Sequence, residues 1–69
     1  PVLRFWRWDD QGRAAVVALN FSHRRQRIEL HFPYGGKWQN VVTGRTREVA
    51  GGALDLTFGP FSAALFIPV

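Results

Sequence analysis

The amino-acid sequence predicts an all-β domain, built as a small antiparallel sandwich or barrel. Six or seven short segments are rich in β-branched and aromatic residues, and turn residues separate them about every 8–12 positions. No segment of the 69 residues shows the periodicity of an amphipathic helix. Several segments instead alternate between apolar and polar residues, which is typical of half-buried strands because successive side chains point to opposite faces.

The first two strands are predicted to form a β-hairpin. Val2–Trp8 is rich in strand-forming residues, and the Asp-Asp-Gln-Gly sequence at 9–12 is typical of a turn, since aspartate bonds to nearby backbone and glycine accepts a positive φ. The following strand, residues 13–21, is apolar on both of its faces. A strand that is buried on both sides has this pattern, so we expect it to lie in the centre of a sheet.

Two later strands alternate cleanly between apolar and polar residues. The apolar set is Ile28, Leu30 and Phe32 in residues 27–32, and Leu54, Leu56 and Phe58 in Ala53–Phe58. We expect these side chains to face the core, and the polar side chains between them, including Glu29 and Asp55, to face solvent.

The remaining strands are shorter or less regular. Residues 37–42 follow a Pro-Tyr-Gly-Gly turn, and this strand is expected to direct Trp38 and Val42 inward. Thr46–Val49 is short and charged, as edge strands often are. Residues 62–67 follow a Gly-Pro break and are expected to close the fold.

Length and composition limit how this chain is stabilised. A core of this size rarely supplies more than about 3–5 kcal/mol, and the absence of cysteine excludes disulfides and thiolate zinc sites. Stability is therefore expected to come from the apolar core or from docking on a larger body.

The sequence begins and ends in strand-like segments, so residues 1–69 are expected to be a single domain from a longer chain. Its longest purely apolar run is far too short to cross a membrane.

A series of short motifs runs through nearly the whole chain. They are Val-Leu-Arg-Phe at 2–5, Val-Val-Ala-Leu-Asn-Phe-Ser at 16–22, Gly-Lys-Trp at 36–38, Thr-Gly-Arg at 43–45, Gly-Gly-Ala-Leu at 51–54 and Gly-Pro-Phe-Ser-Ala-Ala-Leu at 59–65. In this order they resemble the C-terminal β-sandwich of the α-amylase superfamily, glycoside hydrolase family thirteen. The resemblance implies a Greek-key sandwich of six to eight short strands. It further implies a non-catalytic accessory domain that stabilises the catalytic barrel of the same chain, in an enzyme acting on α-glucans.

The residues within these motifs are expected to have structural roles. Asn20 can close a turn through its side-chain amide, and Ser22 can do so more weakly. Gly51 and Gly52 are expected to permit a hairpin, and Pro60 fixes φ where no ladder hydrogen bond is needed.

The chain is not expected to carry a catalytic site, a metal or a cofactor. In the family that it resembles the catalytic carboxylates lie on the barrel, to which no position here corresponds. A retaining carboxylate pair would need carboxyls about 5–5.5 Å apart, whereas Glu29 and Asp55 lie at outward positions of separate strands. The two histidines, His23 and His31, have no converging partners for a triad or a metal.

Four aromatic residues are the candidate binding residues. Trp6 and Trp8 share one face of the first strand, opposite to two other apolar residues, so one of these sets must face away from the main core. Tyr34 and Trp38 flank a glycine-rich turn. Sugar-binding modules stack pyranose rings on exposed aromatic rings, and exposed apolar surface also binds protein partners. Trp6, Trp8, Tyr34 and Trp38 are therefore candidates for α-glucan binding or for contact with the barrel, with a place in the core as the alternative.

The net charge of +4 raises nucleic acid as a further partner. The only arginine cluster in the sequence, Arg24, Arg25 and Arg27, falls in one loop and is not interleaved with the aromatic residues. A small nucleic-acid-binding barrel is therefore the least favoured hypothesis.

No membrane partner is expected. The lack of cysteine favours the cytoplasm over a secreted location.

Overall fold

A computed structural model describes residues 2–69, and these residues form seven β-strands and no helix. The strands are β1 (Val2–Trp8), β2 (Ala14–Asn20), β3 (Gln26–His31), β4 (Gly36–Asn40), β5 (Thr46–Val49), β6 (Ala53–Phe58) and β7 (Ala63–Pro68). The all-β prediction is confirmed. Because the described residues contain no helix, none of them forms a helix that could cross a membrane.

The strands form two antiparallel sheets. One has the order β1-β2-β7-β4-β5, and the other consists of β3 and β6. β7 returns to lie beside β4, the first strand of the group β4 to β7, which is Greek-key connectivity. The predicted central place of β2 is confirmed, since it pairs with β1 and β7, and the predicted edge place of β5 is confirmed as well.

The hydrophobic core lies between the two sheets. Its buried members are Ala14, Val16, Ala18, Leu30, Phe32, Trp38, Val49, Phe58, Ala64 and Phe66. Ile28, Leu54 and Leu56 pack against this cluster, so the inward sets predicted for β3 and β6 are confirmed. The ring of Phe32 is central, with its centroid 5.1 Å from that of Trp38 and 5.3 Å from that of Phe66.

Two predictions about the β4–β6 region were wrong. β4 ends at Asn40, and Val42 lies in the turn that follows, where it is 61% exposed. The reason is local: Asn40 accepts hydrogen bonds from Val42 N through its side chain and from Gly44 N through its carbonyl, which closes a tight turn. Gly51 and Gly52 do not form a hairpin, because β5 and β6 belong to different sheets. Their positive φ values of 71° and 82° instead carry the chain from one sheet to the other.

Asn20 closes its turn as predicted and also joins two distant parts of the chain. It is buried, and its amide nitrogen donates to the carbonyls of Arg24 and Gly59 at 3.0 and 2.9 Å. Its side-chain oxygen accepts from Ser22 N at 3.0 Å. The residue therefore ties the β2–β3 loop to the β6–β7 turn.

Candidate functional site

Trp6 and Trp8 lie on the face of β1 that is directed toward the second sheet. The register places them opposite the buried residues Val16 and Ala14 of β2. Both indoles are nevertheless exposed, because the two-stranded sheet is too narrow to cover the edge of a five-stranded one. The other face of β1, with Leu3 and Phe5, points away from the core.

The two exposed tryptophans have different surroundings. Trp6 donates from Nε1 to the carbonyl of His31 at 2.9 Å and is therefore held against the end of β3. Trp8 is 54% exposed beside an open depression of about 380 Å³, which Arg13, Ala14 and Pro68 also line. Trp8 is thus the better placed of the two to stack on a ligand.

Trp38 is not a surface residue. Its side chain is 0% exposed, its ring packs on Phe32, and its Nε1 donates to the carbonyl of Tyr34 at 3.2 Å. The proposal that Trp38 binds sugar or contacts the barrel is therefore corrected in favour of the core alternative. The physical reason is the register: Trp38 pairs with Pro68 on the inner face, where the second sheet and Phe32 cover its ring.

Tyr34 is exposed and packs on the buried Trp38, with ring centroids 5.0 Å apart. The segment that leads to it, residues 31–34, is held at both ends by indole hydrogen bonds, from Trp6 to His31 and from Trp38 to Tyr34. Trp8 and Trp38 occupy one row of the inner face, with β2 and β7 between them. Neighbouring strands are about 4.8 Å apart, so three such steps place Trp8 roughly 14 Å from Trp38. Because Tyr34 packs on Trp38, Trp8 lies near the end of the sandwich that carries Tyr34.

The outer face of the five-stranded sheet, which points away from β3 and β6, is apolar across three neighbouring strands. We define the outer apolar face as Leu3 and Phe5 of β1, Val17 and Leu19 of β2, and Leu65 and Ile67 of β7. Leu3, Phe5 and Ile67 are exposed, and the other three are half-buried. A solvated face of an antiparallel sheet normally carries polar residues, whereas apolar faces of this kind are typical of surfaces that a partner covers.

This face was missed as a candidate site, although the sequence carries its signal. Both β2 and β7 are apolar at odd and at even positions, which is typical of strands that are covered on both sides. One of those sides is the core between the sheets. The β4 and β5 half of the outer face is polar, with Lys37 and Glu48 opposite each other, so the apolar surface is confined to one half of the sheet.

The charged residues do not assemble into a reaction centre. Glu29 and Asp55 lie on separate strands, β3 and β6, and face solvent as predicted, and the register places them opposite each other. Their side chains are 62% and 63% exposed, and they lie near His31 and Arg27 respectively. Side chains so exposed do not exclude water from a reacting bond. Within residues 2–69 no group of three acidic or histidine side chains could hold a metal ion.

Asp9 is the carboxylate with the best-defined environment. It accepts hydrogen bonds from the backbone nitrogens of Arg13 and Gln11 at 2.8 and 2.9 Å, and from Arg13 Nε at 2.6 Å. The backbone hydrogen bond from Arg13 is the main cause that lowers the pKa of Asp9, and the bonds from the Arg13 side chain and from Gln11 add to it. These contacts close the β1–β2 turn, and none of them joins the Asp9 carboxylate to a second group suited to catalysis.

The arginine cluster lies far from the exposed tryptophans. Arg24 and Arg25 follow the end of β2, whereas Trp8 pairs with Ala14 at its beginning. A seven-residue strand of about 20 Å separates them. Arg27, predicted in the same loop, instead lies in β3, where it pairs with Thr57. This arrangement does not combine the loop arginines with the aromatic rings on one surface, as binding of single-stranded nucleic acid requires.

Comparison with known proteins agrees with the all-β architecture. Residues 1–66 match the family described as the alpha amylase C-terminal all-beta domain. The match covers almost all of the 69 residues, so the chain belongs to this family. A search of curated proteins found no match. The chain is thus a non-catalytic C-terminal domain of an amylase-type enzyme, and the catalytic domain of the same polypeptide is its implied partner.

Proposed function

We propose that this domain docks on the catalytic barrel of its own polypeptide through the outer apolar face, and that it stabilises the barrel by shielding apolar surface. The observation that carries the proposal is the outer apolar face itself, which no element among residues 2–69 covers. Burying a partly exposed large apolar side chain contributes about 1 kcal/mol or more. Six such side chains can supply several kcal/mol, part of which offsets the side-chain ordering that docking requires.

The family membership supports the same proposal from a different direction. A C-terminal all-β domain of an amylase-type enzyme lies in one chain with a much larger catalytic domain. The effective concentration of the two domains is therefore high, and a modest apolar interface is sufficient to hold them together. We further propose that the parent enzyme is a glycoside hydrolase acting on α-glucans, which hydrolysis of starch and malto-oligosaccharides by the full-length polypeptide would test.

The docking test uses the full-length polypeptide with Phe5→Thr and Ile67→Thr combined. Both residues belong to the outer apolar face and are exposed in the domain alone, so the change preserves strand propensity and leaves the core untouched. We expect the unfolding temperature of the catalytic domain to fall, by an amount that corresponds to about 2 kcal/mol. The turnover number at low temperature should not change.

The matched control is Val42→Thr, which replaces an exposed apolar side chain in the β4–β5 turn. If the double variant and the control have the same thermal stability in calorimetry, docking through the outer apolar face is refuted. A second readout is the isolated 69-residue chain, in which the double variant should not lose stability.

A second candidate function is α-glucan binding by the domain itself, which the exposure of Trp8 beside an open, mostly apolar depression with arginines among its lining residues favours. Trp6 and Tyr34 are the further candidate residues. Malto-oligosaccharide should then change the tryptophan fluorescence in a saturable way below about 10 mM. Trp8→Ala should abolish this change, whereas Phe21→Ala, at the opposite end of β2, should retain it. A wild-type chain whose fluorescence does not respond would eliminate this candidate.

A further inference from the structure

A cavity of about 310 Å³ opens on the side of the sandwich where β5 and β6 are not paired with each other. The β4–β5 hairpin forms one wall, and β6 with the turn before β7 forms the other. None of its lining residues belongs to the outer apolar face, and none is one of the exposed tryptophans. The cavity is therefore a separate feature from both surfaces considered above.

Two arginines point to the chemistry of this cavity. Both line it: Arg47 lies in β5 opposite the buried Trp38 and therefore on the face directed toward the second sheet, and Arg45 immediately precedes β5. In the described part of the chain neither has a carboxylate within 4.0 Å, and no acidic residue lines the cavity. Two guanidinium groups without a counter-charge favour a dianion, which their planar forks can bind in a bidentate way.

The rest of the lining suits a small organic group better than a bare ion. Phe58 and Phe66 form a largely buried apolar base. Thr43 also lines the cavity, and its hydroxyl, which accepts a hydrogen bond from Arg45 N at 3.3 Å, keeps its own proton to donate. An apolar base with a few polar groups around it is the usual composition of a small-molecule site, and a volume of about 310 Å³ is at the small end of such sites.

We propose that this cavity binds a phosphate monoester of a small polyol, with a hexose phosphate as the representative ligand. The guanidinium groups of Arg45 and Arg47 bind the phosphate, the hydroxyl of Thr43 binds a sugar hydroxyl, and the carbon face of the sugar packs over Phe58 and Phe66. The site would make the domain a sensor for a charged sugar, which goes beyond docking and uses none of the residues on which docking depends.

The test is a titration of the ¹⁵N-labelled 69-residue chain with glucose 6-phosphate, followed by NMR, with inorganic phosphate and glucose in parallel at constant ionic strength. We expect saturable shifts of residues 43–47 and 56–59 by glucose 6-phosphate below about 10 mM, and weaker binding of the other two compounds. If inorganic phosphate binds as tightly as glucose 6-phosphate, the sugar part of the proposal is refuted. If glucose binds as tightly, the role of the two arginines is refuted.

The variant that tests the site combines Arg45→Gln and Arg47→Gln. We expect it to weaken glucose 6-phosphate binding by roughly tenfold or more, since each lost hydrogen bond joins charged groups. The control combines Arg24→Gln and Arg25→Gln, which removes the same charge from exposed loop residues outside the cavity. Equal weakening in both double variants would mean that net charge alone attracts the ligand and would overturn the proposal.

A second format keeps the test decisive if the isolated chain does not give the dispersed spectrum of a folded domain. Calorimetric titration of the full-length polypeptide then compares the wild type with the same two double variants. A difference between the two variants supports the site, and identical isotherms refute it. Thermal stability of the outer-face variants is measured separately, so failure here leaves the docking proposal unaffected.

Discussion

At the scale of single residues, Asn20 and Trp38 show how a small domain without disulfides holds its loops. Each side chain is buried and uses its polar atoms to bind backbone groups that no strand satisfies. Asn20 joins residues 39 positions apart in the chain, and Trp38 holds the bend that leads into β4. Buried hydrogen bonds of this kind specify loop position because leaving their partners unpaired is costly.

Asn20→Ala is expected to destabilise the domain by about 2–3 kcal/mol, since the carbonyls of Arg24 and Gly59 and the nitrogen of Ser22 would lose their partner. Urea unfolding followed by circular dichroism measures this loss. The control is Gln26→Ala, which removes one side-chain hydrogen bond of 3.4 Å. A similar small effect for both variants would contradict the assigned role of Asn20.

The turn residue Asp9 is expected to make stability depend on pH at the acid end. Because its pKa is lower in the folded chain than the ordinary value of 3.8, the ionised carboxylate stabilises the fold above that value, and this contribution is lost as pH falls through the folded pKa. Asp9→Asn should therefore lower the melting temperature at pH 7 but have no effect at strongly acidic pH. Asp10→Asn is the control, as Asp10 accepts none of these hydrogen bonds. A difference that persists unchanged at low pH would disprove this account.

At the scale of elements, the two edge strands of the large sheet contrast strongly. β5 has four residues and is charged, which discourages pairing with other chains. β1 has seven residues, five of them apolar or aromatic, and it is the most exposed strand of the domain. An exposed apolar edge of this length is a site of aggregation unless a partner covers it, so β1 and the outer apolar face are expected to be protected together.

Phe5→Lys is expected to reduce self-association of the isolated chain, because a charge on an apolar edge strand disfavours pairing with another copy. Sedimentation velocity over a range of concentrations measures the change. In the full-length polypeptide the same variant should lower thermal stability, since docking would bury the lysine. Val42→Lys adds an equal charge in an exposed turn, and an equal reduction of self-association by both variants would count against a special role of β1.

At the scale of the whole molecule, the domain depends on a narrow core. The two-stranded sheet covers only part of the five-stranded one, and the central cluster of Phe32, Trp38 and Phe66 fills the space between them. A core of this size supplies only about 3–5 kcal/mol. The energetic cost of a single large cavity in this core is therefore comparable to the total stability, and the docking that we propose would be an important second source of stability.

Trp38→Ala is expected to cost about 3–5 kcal/mol and so to leave the isolated 69-residue chain largely unfolded at 25 °C. Trp38→Phe should cost less and retain a measurable unfolding transition. Trp8→Ala is the matched control, because it removes the same side chain from an exposed position. If the two alanine variants have equal unfolding midpoints in urea, the central role of Trp38 is wrong.

The sequence by itself determined the local features of this domain. Alternation predicted the inward residues of β3 and β6, turn chemistry predicted the β1–β2 hairpin, and two-sided apolarity predicted that β2 is central. These features depend on neighbouring residues, so a period of two and a few turn residues are sufficient to specify them. The motif order also identified the family.

Only the tertiary structure decided which faces are covered. A period of two shows that Trp6 and Trp8 share a face but does not show what lies opposite them, and it does not separate the exposed Trp8 from the buried Trp38. The crossing at Gly51 and Gly52 and the convergence of Arg45 and Arg47 on one cavity likewise follow from strand order. Strand order depends on contacts between residues far apart in the chain, and those contacts leave no local pattern in the sequence.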